Sequence, residues 1–404
     1  SASSLSGTKS RLNNYSIGLS KTIPMGTTLG LELADARGSG DSTFSSINPN
    51  HDAQVKFTLN QPLGNNFFGM LDRGQIKLSR LDIDNSDFNV LNRIEQSLGD
   101  LQKAYWQLVL YSEELDIARK MLERTKNLYK IFEQRKNLGL VEDAELFALE
   151  ANLIQNNIDI KIAEQKLRMA QNALLLALSE EDFTLNIMPT NKLECLASKI
   201  TVQDFLQTAI VQRRDYKQAK NDLEMKKINL SMKQNSLWPQ IDLDASFAHN
   251  GLEAAQADAW QNISDQDNPE LYLGLSLSLP LENRAARSKK QKAENEKAKA
   301  LLGLKRIEHA IIVEINNAVD TVNVHIENIK SRQKIITLQE KKLLFEEKRF
   351  RNGRSNTDTL VRFQQDLLTA QRNLAQTLFA YKAARIDLQQ AENSLLNAYW
   401  TDKL

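Results

Sequence analysis

Residues 271–280, LYLGLSLSLP, place leucine at 271, 273, 275, 277 and 279, with Tyr272, Gly274, Ser276 and Ser278 between them. A period of two puts every leucine on one face of an extended strand and every small or polar residue on the other. The stretch 239–247, PQIDLDASF, repeats the pattern. Ile241, Leu243, Ala245 and Phe247 alternate with Gln240, Asp242, Asp244 and Ser246. Such strands suit a barrel wall with lipid on one side and water on the other. A soluble sandwich shows the same alternation, so the strands decide little by themselves. The context decides: about 120 residues of nearly unbroken helical pattern follow each strand group.

Composition narrows the choice. Charged residues make up 25% of the 404 and mean hydropathy is −0.45, which excludes a bundle of membrane helices. The longest apolar run, about Ala173 to Leu178, falls far short of the roughly 20 residues a spanning helix needs. If this chain crosses a membrane, strands must do it. Glycine (15) and proline (7) are scarce, as expected of a mostly helical chain. The 52 basic and 51 acidic residues are mixed along the helices, so no clustered basic footprint for nucleic acid exists. A single cysteine, Cys195, excludes an intramolecular disulfide and reads as an inert thiol in a linker.

Earlier strands read at 14–22, 27–35 and 52–61, with a polar loop at 36–51. Ile23-Pro24-Met25-Gly26 signals a turn, although the unbroken odd parity of Tyr15, Ile17, Leu19, Leu29, Leu31 and Leu33 also allows one long kinked strand. After Pro62 the period becomes helical from about Phe67 to Asn137, a reach of roughly 105 Å at 1.5 Å per residue. Gly69, Gly74 and Gly99 are candidate bends. Gly139 marks a sharp turn and the helix returns over 143–178. Residues 179–200 read as an irregular linker, 201–235 as a helix, and 249–269 as a long polar loop. A second long helix spans 284–352, turns at Gly353 and returns over 357–398.

The unit therefore occurs twice. Pro62 to Gly139 spans about 77 residues and Pro280 to Gly353 about 73, a difference of one helical turn. The expected segments are 1–62 (barrel strands of repeat 1), 63–200 (long helical hairpin and linker), 201–238 (helix leading to the membrane), 239–281 (barrel strands of repeat 2) and 282–404 (second long hairpin). Four strands cannot close a membrane barrel, which needs at least eight, and a bare two-helix hairpin has little core. Both halves point to a ring of copies; four strands each in a trimer give twelve, and more if 14–22 is a separate strand. The fold class is mainly α with membrane β: long helical hairpins joined to strands of a shared barrel, with two internal repeats.

The chain resembles the TolC-type outer-membrane efflux channels over about 14–398. The resemblance rests on QPL at 61–63, the tip Leu138-Gly139-Leu140-Val141 with Ala148, Glu150 and Ala151 downstream, Leu237-Trp238-Pro239, Leu277-Ser278-Leu279-Pro280-Leu281, and the second tip Arg349-Phe350-Arg351-Asn352-Gly353. It implies a homotrimer in the outer membrane of a Gram-negative bacterium, with long helical hairpins forming a trimeric α-barrel tunnel that extends into the periplasm, joined to a shared transmembrane β-barrel. The implied partners are outer-membrane lipid, a periplasmic adaptor protein and an inner-membrane transporter. The implied role is a passive exit duct for efflux or type I secretion. A counterpart of 201–245 is expected ahead of the opening SASSLSGTKS, which reads as a loop or processed end.

Candidate sites follow. Lys56, Thr58, Asp242, Asp244, Ser276 and Ser278 would line the wet bore. Gly139, Leu140, Val141, Gly353 and Arg354 would form the docking tips; the glycines equally read as helix C-caps. In the family, aspartates six and nine residues after the second glycine ring the closed entrance. Thr359 and Arg362 stand there, with Asp358 one residue away. A ring of Arg362 would favour anions, although Arg362 also suits an outer or inter-helix face. Lys136 replaces a frequent aromatic at the first tip. No enzyme constellation, cofactor site or metal site is apparent: His51, His249, His309 and His325 are scattered, and no HExxH, phosphate loop or nucleophile elbow occurs. The Glu340–Glu347 stretch reads as a solvated, salt-bridged face, and Met121, Met169 and Met225 as helix packing. The competing class is a non-conducting coiled-coil scaffold or adaptor.

Overall fold

The computed structural model describes residues 9–41, 46–138, 142–195, 198–265, 269–352 and 354–399. The chain divides into two compact units: Ser1–Ser86 with Gln218–Leu304, and Asp87–Lys217 with Lys305–Leu404. Each is described separately.

The first unit is built on a five-stranded antiparallel sheet in sequence order: β1 (Ser10–Thr22), β2 (Thr28–Gly40), β3 (Asn50–Pro62), β4 (Gln240–Glu253) and β5 (Pro269–Ser278). The open question at Pro24 resolves as two strands. Gly26 at φ +83° turns the chain, its N–H donating to the Ile23 carbonyl at 2.8 Å, and β1 folds back on β2 from Thr22↔Thr28 to Ser10↔Gly40. β1 to β4 all extend further than the periodicity indicated. The polar alternation at their far ends is weak, but cross-strand pairing holds it in register.

The expected loop at 249–269 is a second correction. β4 continues to Glu253, and a helix, α5 (Gln256–Asp265), lies on the sheet. Its Ala259 is fully buried, as is Ala53 of β3. Gly251 lets the two backbones meet: a Cβ there would stand 2.1 Å from the Ala259 carbonyl oxygen. Nearby, His51 Nδ1 lies 3.0 Å from Asp35 Oδ2, and Gln256 Nε2 donates to the same oxygen at 3.0 Å.

The repeat is stricter in structure than in sequence. The helices α1 (Met70–Asn137) and α6 (Arg284–Arg351) each have 68 residues. The returning helices α2 (Asp143–Ala177) and α7 (Thr357–Ala391) each have 35. The four-residue offset between the copies is therefore not an extra helical turn. It lies in the strand-to-helix junction, where Asn66 and Phe68 at positive φ and a short 3₁₀ turn at Phe67–Gly69 precede α1. Gly74 and Gly99 leave α1 unbroken; at Gly99 the missing side chain admits Gln390 of α7, whose Nε2 lies 2.0 Å from where a Cβ would be.

The helix expected over 201–235 breaks in two, α3 (Val202–Gln212) and α4 (Arg214–Asn235). Arg213 between them adopts ψ 121° and forks onto Asp215 from its side chain, Nε to Oδ1 at 2.9 Å and Nη2 to Oδ2 at 2.7 Å. The last helix also ends early, at Ala391 rather than 398, because Asn393 takes φ +55° before a 3₁₀ turn at Leu396–Ala398.

In the second unit α1, α2, α6 and α7 share an apolar core. Leu128 and Phe132, Leu146 and Leu149, Leu343 and Phe350, and Leu360 and Leu367 contribute one pair from each helix.

Candidate pore face and helix tips

Strand register sorts the sheet into two faces. Leu19, Leu31, Phe57, Phe247 and Leu271 form one row across all five strands. Ile17, Leu33, Val55 and His249 form the row on one side of it, and Leu29, Leu59, Ala245 and Leu273 the row on the other. Leu243↔Leu275 and Ile241↔Leu277 carry the apolar surface on toward the helix junction. Leu19, Leu271 and Leu273 are each more than 70% exposed in the single chain; α5 covers this face at Ala53 and Gly251 but leaves the leucine rows bare.

The opposite face is polar. Gly18, Glu32, Lys56, Ala248 and Glu270 form one row; Ser20, Gly30, Thr58, Ser246 and Tyr272 form the next. Below them stand Thr22, Thr28, Asn60, Asp244 and Gly274, then Asp242↔Ser276 and Gln240↔Ser278. All six residues expected to line the bore, Lys56, Thr58, Asp242, Asp244, Ser276 and Ser278, fall on this one face. The face is cross-linked by side chains: Asn60 Nδ2 donates to Asp244 Oδ1 at 2.6 Å, Gln54 Nε2 to Asn250 Oδ1 at 2.9 Å, and Gln240 Nε2 to Asp242 Oδ2 at 2.7 Å.

At the tips, Gly139, Leu140, Val141 and Gly353 lie outside the described residues. Around them, the two hairpins are clamped together. Phe132 and Phe350 stack with ring centroids 4.8 Å apart, and the Arg135 guanidinium sits 5.3 Å from the Phe350 centroid while donating to the Arg351 carbonyl at 3.2 Å. Lys136 pairs with Asp143 across the first turn at 2.6 Å. Arg354 is exposed, and its carbonyl accepts from Arg349 Nη2 at 3.2 Å. Glu346 corrects the reading of 340–347 as wholly solvated. It is buried, and it accepts from Arg349 at 3.2 Å and from the Ser355 hydroxyl. A charge buried in this way is retained because both its oxygens are hydrogen-bonded.

The three constriction candidates occupy the first turns of α7. Asn356 caps the helix, its Oδ1 accepting from the Thr359 N–H at 3.0 Å. Asp358 is exposed in the first turn, favourably placed against the helix dipole. Arg362 is exposed with its guanidinium 5.6 Å from the Phe363 ring centroid.

Periodicity gave no sign of the buried anchor of the second unit. Glu95 on α1 is 2% exposed and pairs with Arg214 of α4. It also accepts from Asn393 Nδ2 at 3.2 Å and from the Leu395 N–H at 2.9 Å. Arg213 beside it holds Asp215, Glu314 and the Ala391 carbonyl. The Arg213-Arg214-Asp215 run was the available signal; nothing local pointed to Glu95 or to residue 395. Among the other residues weighed, Met121 is buried while Met169 is exposed, and Cys195 is partly buried.

The family profile described as "Outer membrane efflux protein" matches residues 205–395. That stretch, 191 of the 404 residues, is similar to the family. Proteins of this domain family are channels rather than enzymes. Among curated proteins none matches by sequence. Solved structures similar in fold include CusC (TM-score 0.71, 14% identity, 95% of this chain and 83% of that one). VceC from Vibrio cholerae gives TM-score 0.71 at 14% identity over 95% of this chain and 87% of its own. The Campylobacter jejuni outer membrane channel CmeC gives 0.70 at 14% over 97% and 79%. These likenesses show the fold alone: long helical hairpins and an antiparallel sheet, built from two repeats.

Proposed function

We propose that this chain forms the outer-membrane exit duct of a tripartite efflux pump or type I secretion system, as a homotrimer gated at its periplasmic helix tips. The observation that carries the proposal is the two-faced sheet. Apolar rows run from the level of His249 to that of Ile241, eight steps along β4. At 3.3 Å per step and a tilt near 40°, they give an apolar band about 20 Å tall, close to the roughly 25 Å of outer-membrane barrels. The opposite face supplies hydroxyls, amides and carboxylates for a water-filled bore.

The helices support lateral assembly. On α2 the exposed apolar residues Phe147, Ile154, Ile158, Ile162, Met169 and Leu176 recur at sevens and fours, a seam that seeks a partner helix. On α6, Leu302, Val313, Val324 and Ile335 recur every eleven residues, the repeat of a nearly straight or right-handed contact. Neighbouring copies would cover both.

Ring closure carries a geometric condition. β1 and β5, the outer strands of the sheet, run in the same direction. A rotationally symmetric ring of these five strands alone therefore joins β5 of one copy to β1 of the next as a parallel pair, while a wholly antiparallel ring takes an even number of strands from each copy.

The efflux-duct reading places Arg354 with the tip residues at the adaptor contact and Asp358, Thr359 and Arg362 at the entrance. Transport energy comes from the partner pump. The test is mass determination in detergent together with single-channel recording in a planar bilayer. A trimer-sized particle giving discrete conductance steps is expected. A detergent-independent monomer or dimer that never inserts would replace the duct with a non-conducting scaffold.

A further inference from the structure

The second unit contains a cleft of about 780 Å³, lined by none of the candidate pore or tip residues. It lies between α1, α7 and the segment 190–194. Gln102 and Trp106 come from α1, Lys382 and Arg385 from α7, and Lys192 and Glu194 from the connecting segment.

The cleft has more donors than acceptors. Lys382 and Arg385 stand three residues apart on α7, so both reach the same side of the helix. Neither makes an ion pair among the described residues. The nearest helical carboxylate, Asp387, is taken by Lys103 at 2.5 Å. Glu194 and Glu392 act only at longer range, Glu194 on Lys382 and Glu392 on Arg385. Lys382 leans on an aromatic face, with Nζ 4.5 Å from the Trp106 ring centroid, a contact that accepts a cation without neutralising it. Gln102 presents a buried amide nitrogen with no acceptor. Arg385 also hydrogen-bonds the Tyr381 side chain, but buried donors are normally satisfied, and an orphan beside two cations without a carboxylate partner calls for a missing acceptor. Burial, then the neighbouring Arg385 charge, pushes the Lys382 ammonium below its ordinary range, with Cys195 and Glu194 opposing. An anion between the two cations would reverse that penalty.

We propose that this cleft binds an oxyanion, a phosphate or carboxylate group, held by Lys382, Arg385 and the Gln102 amide, with the Trp106 ring as its wall. Guanidinium and ammonium together suit such a group: the fork engages two oxygens, and the ammonium takes a third on a phosphate or shares one of the two on a carboxylate.

Acylation of Lys382 in the purified full chain, followed by mass spectrometry, tests this without any substitution. Inorganic phosphate and citrate are compared with chloride at equal ionic strength. One or both should slow Lys382 modification at least fivefold and saturably, leaving exposed Lys120 unchanged; which one protects tells phosphate from carboxylate. The variant Arg385→Gln, with Gln102→Leu as a second, should raise the half-protecting anion concentration about tenfold. Equal rates in all three salts, or protection of Lys120 and Lys382 alike, would overturn the site, as would undiminished protection in both variants. The proposal does not rest on conduction, so failure here leaves the duct intact.

Discussion

Replacing Glu95 by alanine is the sharpest test of what holds the second unit together. Glu95 is 2% exposed and its partner Arg214 is also buried. Removing the carboxylate leaves the guanidinium charged in a dry site, which typically costs about 3–5 kcal/mol. It also strips the Leu395 N–H and Asn393 Nδ2 of their acceptor, and each buried orphan adds about 1–3 kcal/mol unless water enters. Partial relaxation makes about 4 kcal/mol a reasonable expectation for the whole. For a unit of this size about 2–4 °C accompanies each kcal/mol, so the helical melt should fall by about 8–16 °C. Far-ultraviolet circular dichroism in detergent reads the helices, with Asp116→Ala as control because the Lys120–Asp116 pair is exposed and worth little. Glu95→Leu with Arg214→Met should recover much of the loss, since no charge is then stranded. If Glu95→Ala shifts the melt no further than Asp116→Ala, the buried pair is not the anchor.

Four further outcomes follow from the same coordinates. Phe132→Ala removes a fully buried ring stacked on Phe350; a loss of about 3–5 kcal/mol is expected, seen as faster proteolysis near the tips. Gly251→Val drives a side chain into the Ala259 carbonyl, so α5 should lift from the sheet and its amides should exchange faster, with β4 unaffected near Leu243. Arg362→Asp should shift ion preference toward cations; an unchanged reversal potential removes Arg362 from the constriction. Burial raises the Asp215 carboxyl, but the Arg213 hydrogen bond and charge outweigh it and hold the group below its ordinary 3.8. Its contribution to stability is therefore full above about pH 4 and is lost as pH falls through the lower folded value, so Asp215→Asn should flatten the acid limb of the stability curve.

What was legible in the sequence was whatever repeats with a short period. Leucine every second residue at 271–279 fixed a strand, its apolar side and hence the residues opposite. Helical spacing found both long hairpins to within a few residues at most ends. The misses occur where a single distant contact decides the local conformation. The chain leaves the helix at Arg213 because Asp215, Glu314 and the Ala391 carbonyl hold its side chain, and two of those three groups, Glu314 and Ala391, lie in distant stretches of sequence. α5 has only ten residues, too few for its spacing to stand out from a polar loop. It is stable there because Gly251 and Ala53 leave a shallow bed on the sheet. Glu346 reads like every other glutamate on α6 until Ser355 and Arg349 fold over it.

These two kinds of position divide the work within the molecule. In the proposed duct the sheet faces and helix seams are periodic because they would meet lipid, water or a neighbouring copy, and a continuous surface needs the same residue class at every repeat. The break after α3, the end of α7 and the tip clamp are single-copy features. They are fixed by buried or half-buried charges with specific partners, Glu95 with Arg214, Arg213 with Glu314, and Glu346 with Arg349. Such pairs add little net stability over an apolar core, but they penalise any alternative packing that strands a charge. Long amphipathic helices can slide by a turn or a heptad at small cost to their apolar contacts. A slip of one turn along α1 would move Glu95 about 5 Å from Arg214, so the clasp selects one register out of several that the apolar stripe allows. The tip clamp does the same at the other end of α1, where Phe132 and Arg135 engage Phe350. If the first turns of α7 form the entrance, as proposed, it depends on both, because only a fixed register would bring Asp358, Thr359 and Arg362 to the same height in every copy.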